Sequence, residues 1–436
     1  MERIFVNKFT GRLRVFVISI VLSLGFAGVA HGQYDLLLKG GHLIDPRNNI
    51  DSRMDIAVAD GKVAAVERQI QASGARQVLE VSGLYLTPGL IDLHVHVFHR
   101  AGIRGTWAGS DSVYPDAFSF RTGLTTMVDA GTSGWRNFEA FRHSVIDHAR
   151  TRILAFINIA GFGMINDLIE QADFNPEEVA RLAEKHKDVV VGVKSAHYRK
   201  PDWQSVDKAI EAGRLAKIPI MVDFGYFLPE RPFWQLVTEK LRPGDMPTHC
   251  FRAPVPWVDE NGKLYEYFKR ARARGVKFDV GHGGGSFVFR NALPAVEQGF
   301  YPDSISTDLH MGSMNAGMMD MPTTMSKFLA MGMPLKDVVQ ASTWSPARQI
   351  QRQELGHLSV GSPADIALFR LAEGNFGYRD ASGGKIEGKQ RLFCELTLKD
   401  GEVVWDWNSR TGVDYKALGP TYGIRKGIDH IVPPPK

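Results

Sequence analysis

The chain has 436 residues, which allows two or three domains, and its 44% hydrophobic and 23% charged residues are typical of a globular protein with a sizeable core. The formal net charge of +4 falls to +1 when the basic first 32 residues are set aside, so charge gives no case for nucleic acid or an anionic membrane as partner. Only two cysteines are present, Cys250 and Cys394, which excludes a disulfide framework.

Residues 1–32 have the pattern of a secretory signal peptide. Four basic residues lie within the first fourteen positions, an apolar segment follows over residues 15–30, and small residues suit cleavage before Gln33. An uncleaved N-terminal anchor is the alternative. We expect an exported protein, periplasmic or secreted, without stable membrane insertion after cleavage, because no second apolar run is long enough to span a membrane.

Residues 33–85 and 353–410 are rich in short alternating strands. The turn signals in the first segment are Gly40-Gly41, Pro46-Arg47-Asn48-Asn49 and Asp60-Gly61. The second segment contains Asp400-Gly401, which, like Asp60-Gly61, is a strong hairpin signal. These patterns predict a small β-sandwich domain formed by both chain ends, followed by a surface tail over residues 411–436.

The middle part, residues 86–352, alternates β-branched or apolar runs with helical patterns. After an opening run at Pro88–His96, the predicted strands are Thr125–Asp129, Ile153–Ile159, Val189–Lys194, Ile218–Asp223, Met246–Phe251, Val276–Val280 and Ser304–Asp308. The clearest helical patterns are Pro176–His186, Ser205–Ala216 and Lys263–Arg274. Eight strand–helix units of this length predict an α/β fold of the (β/α)8 TIM barrel type. A doubly wound sheet is disfavoured, because that fold places phosphate-binding glycines after its first strand.

Two histidines end the first barrel strand. His94 and His96 are two residues apart, so on a strand both side chains point to the same face. Neighbouring imidazoles can occupy adjacent positions on one metal ion, and zinc accepts nitrogen ligands readily. The alternative is a pair of histidines on a half-buried face without a metal.

Later strands also end in polar residues, and strand C-termini meet at one face of a barrel, where active sites are found. These residues are Lys194, Asp223, His249, His282 and Asp308. A buried, neutral Lys194 can add CO₂ and become a carbamate, an oxygen ligand that bridges two metals, unless it extends to solvent. Asp308 is a candidate metal ligand and proton acceptor, although an aspartate at a strand end is often a helix N-cap.

His282 lies in Gly281-His282-Gly283-Gly284-Gly285, which matches the oxyanion motif of esterases, but the chain has no G-x-S-x-G nucleophile elbow. This absence excludes a serine hydrolase. We expect His282 to polarise or orient a substrate, with a buried, hydrogen-bonded histidine as the alternative. The methionine-rich segment 311–325 favours packing around an apolar pocket over a copper(I) site.

Several segments of the sequence together resemble those of a known family. The segments Pro88–His96, Thr125–Gly131, Arg242–Cys250, Phe278–Gly283, Pro302–Asp308 and Leu355–Ile366 resemble the dihydroorotase-like and deacetylase-like branch of the amidohydrolase superfamily of binuclear metal hydrolases. The resemblance covers essentially the whole chain after the leader.

The resemblance implies a ligand set for two zinc ions. His94, His96 and Asp308 would bind the first ion, Lys194 as a carbamate would bridge both, and His249 would bind the second. Asp223 stands where the family has a histidine. A carboxylate is an acceptable zinc ligand, so the site is expected to hold two ions, or one if the extra negative charge alters the second position.

The implied function is a metal-dependent hydrolase. Metal-activated hydroxide would cleave the amide, or the acyl ester, of a small organic acid, with Asp308 as general base and then general acid. The open alternatives are a hydrolase of cyclic amides or lactones and a catalytically decayed metal-binding protein. A small molecule is the expected partner, and a homo-oligomer stays open.

Overall fold

A computed structural model of the protein describes residues 33–98, 111–164 and 173–433. The predicted signal peptide, residues 1–32, lies outside the described residues. Within the described ranges, no helix has both the length and the apolar character that a membrane span requires.

The two chain ends combine in one mixed sheet of eight strands. The strands are β1 (Tyr34–Asp45), β2 (Ile50–Ala59), β3 (Lys62–Glu67), β4 (Ala75–Glu80), β5 (Tyr85–Pro88), β12 (Ile366–Arg379), β13 (Lys385–Lys399) and β14 (Glu402–Asp406). Their order is β14-β13-β12-β5-β1-β2-β3, with β4 paired to β1. The pairing of β12 with β5 joins the segments from the two chain ends in this sheet. The predicted small β-sandwich is not confirmed, since all eight strands belong to one sheet.

The turn signals differ in outcome. Asp60-Gly61 and Asp400-Gly401 form the expected hairpin turns, with positive φ at all four residues. Gly40-Gly41 does not end a strand, so that prediction was wrong. Strand β1 continues through it with a shift in register, and the N–H of Gly40 donates to buried Asp55 at 2.8 Å. A glycine with φ of 81° serves a bulge here as well as it would serve a turn.

The barrel begins with a sheet of six parallel strands. They are β6 (Leu90–Val95), β7 (Leu124–Gly134), β8 (Arg152–Asn158), β9 (Val190–Ser195), β10 (Ile220–Val222) and β11 (Met246–Pro247), each paired with the next. The predicted seventh and eighth strands are held by isolated bridges, Asp279 to Ser304 and Leu309 to Val95. The N–H of Asp279 donates to Pro247, and that of His96 donates to Leu309. These bonds lead from the sixth strand back to the first, as a barrel requires.

Helices connect and cover these strands. The α-helices are α1 (Pro115–Phe118), α2 (Phe138–Ser144), α3 (Pro176–Lys185), α4 (Gln204–Ala216), α5 (Phe233–Gln235), α6 (Glu266–Ala273), α7 (Phe289–Glu297), α8 (Met311–Met314), α9 (Met321–Ala330), α10 (Leu335–Gln340) and α11 (Trp344–Gln349). Shorter 3-10 turns lie at Ala72–Gly74, Phe120–Thr122, Ile146–His148 and Tyr415–Ala417, and a π-helical turn at Leu236–Lys240. The three helices predicted in the barrel correspond to α3, α4 and α6. Helix α3 begins as expected for its sequence, with Asn175 capping the N–H of Glu178 at 3.1 Å.

Candidate metal centre

The two histidines of the first strand meet Asp308 at the end of the eighth predicted strand. The Nε2 atoms of His94 and His96 lie 3.5 and 2.9 Å from Oδ1 of Asp308, and all three residues are buried. One ligand atom from each lies within 4.8 Å of the others, and no other three histidine, cysteine or acidic residues of the described ranges meet this criterion. We call His94, His96 and Asp308 the first donor group.

The first donor group fits a zinc ion by chemistry and by space. Two imidazole nitrogens and a carboxylate are three zinc ligands, a number that leaves an open position in catalytic sites. Gly283 keeps the space beside the carboxylate clear, because a Cβ at that position would lie 2.3 Å from Oδ2 of Asp308. A side chain larger than hydrogen would therefore displace the ligand.

Lys194 lies beside the first donor group at the end of β9. Its Nζ is 3.2 Å from Nε2 of His94, and the side chain is fully buried. Gly131 makes room for it, since a Cβ there would lie 2.6 Å from Cβ and Cγ of the lysine. Burial lowers the pKa of Lys194, although Asp223 and Asp308 act in the opposite direction. A neutral amine is the form that reacts with CO₂, so the structure brings Lys194 to the place where a bridging carbamate was predicted.

Asp223 and His249 meet a third residue that the sequence analysis did not select. Oδ2 of Asp223 lies 3.3 Å from Nε2 of His249 and 3.1 Å from Nε2 of His197. The other oxygen, Oδ1, accepts the N–H of Gly225 at 2.9 Å. The free edge of the carboxylate is therefore shared by two imidazoles. We call His197, Asp223 and His249 the second donor group.

Hydrogen bonds behind the histidines fix which ring nitrogen faces the centre. Nδ1 of His94 lies 2.8 Å from the hydroxyl of Thr248, and that hydroxyl donates to Asp279 at 2.7 Å. The imidazole must therefore donate through Nδ1. His249 likewise donates through Nδ1 to the carbonyl of Gly281 at 2.5 Å. Both Nε2 atoms are left with a lone pair directed towards the centre, which is the arrangement that metal ligation requires.

Both carboxylates of the centre are held in the charged form. Burial would raise the pKa of Asp308, but His94, His96 and His249 together lower it. Burial would also raise the pKa of Asp223, and His249 and His197 lower it well below its usual value. The anionic charge that a cation site needs is thus present in both groups.

A cavity of about 510 Å³ opens onto both donor groups. Its lining comprises His96, Asp111, Met164, His197, Asp223, His249, Arg252, Gly284, Gly285, Ser286, Asp308, His310, Gly312 and Ala316. The volume suits a small organic molecule. A cleft of similar size at the opposite end of the strands, lined by Lys217 and Arg242, contains none of the predicted site residues.

His282 does not line this cavity. It is fully buried, its Nδ1 donates to the carbonyl of Gly283 at 2.9 Å, and its Nε2 accepts from Nζ of Lys327 at 2.7 Å. Burial lowers the pKa of Lys327 to about 7. Contact of His282 with a substrate stays a prediction. The observed bonds favour the alternative of a buried, hydrogen-bonded histidine that supports Gly283 behind Asp308.

Three further cavity residues were missed by the sequence analysis. His197 follows Lys194 by three positions, Arg252 follows His249 by three, and His310 follows Asp308 by two. All three lie in loops just beyond strand ends, and such loops also build the site of a barrel. The methionine-rich segment, by contrast, behaves as expected for packing, since Met318, Met321 and Met325 are buried in the main hydrophobic core.

Comparison with known proteins places these features in a family. Residues 288–397 match the model of the amidohydrolase family. The chain is similar to a deacetylase of Agrobacterium fabrum, with 36% identity over 355 residues that cover 78% of this chain and 84% of the relative.

Two solved structures show the same architecture. The fold is similar to the crystal structure of an adenine deaminase, with a TM-score of 0.76, 27% identity, and coverage of 86% of this chain and 100% of the other. It is also similar to the crystal structure of a dihydroorotase, with a TM-score of 0.72, 30% identity, and coverage of 85% and 99%. Both neighbours support the predicted barrel.

Proposed function

Because this chain belongs to the amidohydrolase family and is a hydrolase of carbon–nitrogen bonds, we propose that it cleaves the amide, or the acyl ester, of a small organic acid in a metal-dependent reaction. The observation that carries the proposal is the first donor group, three buried ligands of which His96 and Asp308 line the cavity. The proposal includes two zinc ions per chain and a carboxylated Lys194. It is supported by the burial of Lys194 beside His94, where both Asp223 and Asp308 act on its pKa.

Different residues of the chain would bind the metal, transfer the proton and orient a ligand. Bound zinc would polarise the carbonyl and lower the pKa of a water molecule to about 7. Asp308 lies beside the Nε2 atoms of His94 and His96, and its carboxylate would take the proton of the attacking water and return it to the leaving amine or alkoxide. Thr248 keeps His94 in the tautomer that ligation requires.

Arg252 supports an organic acid as substrate. It lines the cavity beside the second donor group, and its guanidinium lies 5.8 Å from the centre of the Phe227 ring. Among the ion pairs of the described residues, none engages Arg252. A guanidinium that pairs with no carboxylate among the described residues suits a substrate carboxylate, which it can bind through two parallel hydrogen bonds.

The test is a panel of N-acetyl amino acids and O-acetyl hydroxy acids, each paired with its neutral methyl ester, together with a cyclic amide. We expect hydrolysis of the free acids, loss of activity after removal of metal with a chelator, and recovery when zinc is added back. Hydrolysis that survives metal removal would overturn the proposal. Preference for the cyclic amide would favour the dihydroorotase-like alternative.

We also propose that the mature protein is exported to the periplasm or secreted. The support is the signal-peptide pattern of residues 1–32. Sequencing the N-terminus of the protein isolated from the producing cell tests this, because cleavage before Gln33 is expected.

A further inference from the structure

We propose that His197 is a ligand of the second metal ion, together with Asp223 and His249. The inference rests on the proposed metal-dependent function and adds a ligand that lies in a loop, two residues past the end of β9. It assigns the second ion two imidazole nitrogens and one carboxylate oxygen, the donor set of many zinc hydrolases.

The distances within the second donor group support a shared ion. Nε2 of His197 and Nε2 of His249 lie 3.1 and 3.3 Å from the same oxygen of Asp223. Two ligands bound to one tetrahedral zinc at 2.0–2.1 Å are about 3.3 Å apart, so both pairs already have the separation of ligands on one ion. The two imidazole nitrogens lie more than 4.8 Å from each other, so a shared ion requires the partly exposed His197 to move towards His249, and we expect the second ion to be held less tightly than the first.

The loop that carries His197 is fixed in place. The buried guanidinium of Arg231 donates to the carbonyl of Tyr198 at 2.7 Å, and the Tyr198 hydroxyl donates to Asp202 at 2.7 Å. On the other side, a Cβ at Gly225 would lie 2.7 Å from Cα of His197, so only glycine lets the two loops pack this closely. The contact with Asp223 is therefore the product of two packed loops.

The orientation of Asp223 agrees with this role. Its Oδ1 is occupied by the N–H of Gly225, which turns Oδ2 towards the two imidazoles and the cavity. The side chains of Asp223 and His249 are only 2% and 6% exposed, whereas His197 is 28% exposed and forms the outer edge of the group. An ion entering from the cavity would meet His197 first.

The experiment measures metal per chain after dialysis, together with the visible spectrum of the cobalt-substituted protein. The variant is His197→Asn, because His197 has φ of 53° and asparagine adopts this left-handed conformation readily. The control is His148→Asn, which removes an exposed imidazole on the protein surface. We expect two ions in the wild type and the control, and one ion with a changed cobalt spectrum in His197→Asn.

A double variant guards against a folding defect. Asp223→His with His197→Asn moves an imidazole from the loop to the strand, and we expect it to regain the second ion. Two ions and an unchanged cobalt spectrum in His197→Asn would overturn the inference and leave the proposed function standing. A single ion in both the wild type and His197→Asn would also overturn it. No tightly bound metal in the wild type would overturn the proposed function itself.

Discussion

The two donor groups are built differently. The first consists of residues at strand ends, His94, His96 and Asp308, and its ligand atoms lie close together. The second depends on His197, a loop residue brought to Asp223 by the packing of two loops. The comparison indicates that strand ends alone position the first group, whereas the second group also requires two loops to pack against each other.

The largest expected effect tests the first group. Asp308→Asn should lower kcat by roughly 10²- to 10⁴-fold, because the amide cannot act as the proton acceptor. Asparagine tolerates the left-handed backbone at this position, where φ is 51°, so the fold should persist. Steady-state kinetics and circular dichroism together check this, and a near-normal rate would contradict the assigned role.

The next largest effect tests substrate binding by Arg252, which lines the cavity beside the second donor group. Arg252→Gln should raise KM for an acid substrate by roughly 10- to 100-fold, because it removes a charged hydrogen-bond donor. The KM for the matching neutral ester should hardly change, and kcat for both should stay within a few fold. An equal loss for acid and ester would show that Arg252 acts on the reaction rather than on substrate binding.

The smallest expected effect is on the metal affinity of the first group, through Thr248, which hydrogen-bonds to His94. Thr248→Val removes the hydroxyl that orients His94 and should weaken metal binding at the first group by about 10-fold, the low end for such supporting contacts. Thr238→Val, a threonine on the π-helical turn, is the matched control. Competition with a metal-sensitive dye measures both affinities. Equal affinity in the two variants would show that the hydroxyl is dispensable.

Much of the fold could be predicted from sequence because its signals are local. Asp60-Gly61 specifies a hairpin by its own backbone preferences, and the spacing of His94 and His96 specifies a shared face. The Gly40-Gly41 prediction failed because the same dipeptide serves a turn or a bulge, and the choice depends on buried Asp55, fifteen residues away.

The site was predictable in part for the same reason. His94, His96 and Asp308 lie at strand ends, and the barrel rule brings strand ends together. His197 was not predicted, because its position depends on contacts with Gly225 and Arg231. These residues lie in loops, which have no periodic sequence pattern. The sequence around His282 matches the esterase oxyanion motif. Its hydrogen-bond partner Lys327 lies in helix α9, 45 residues away, so no local sequence pattern could predict that contact.

Three residues of the centre, His197, His249 and Asp308, have left-handed backbones, with φ between 51° and 56°. Asparagine adopts that conformation more readily than most residues. A single base change converts a histidine or aspartate codon into an asparagine codon. One base change at each of these positions would therefore give a protein that we expect to fold but to lack one proposed metal ligand.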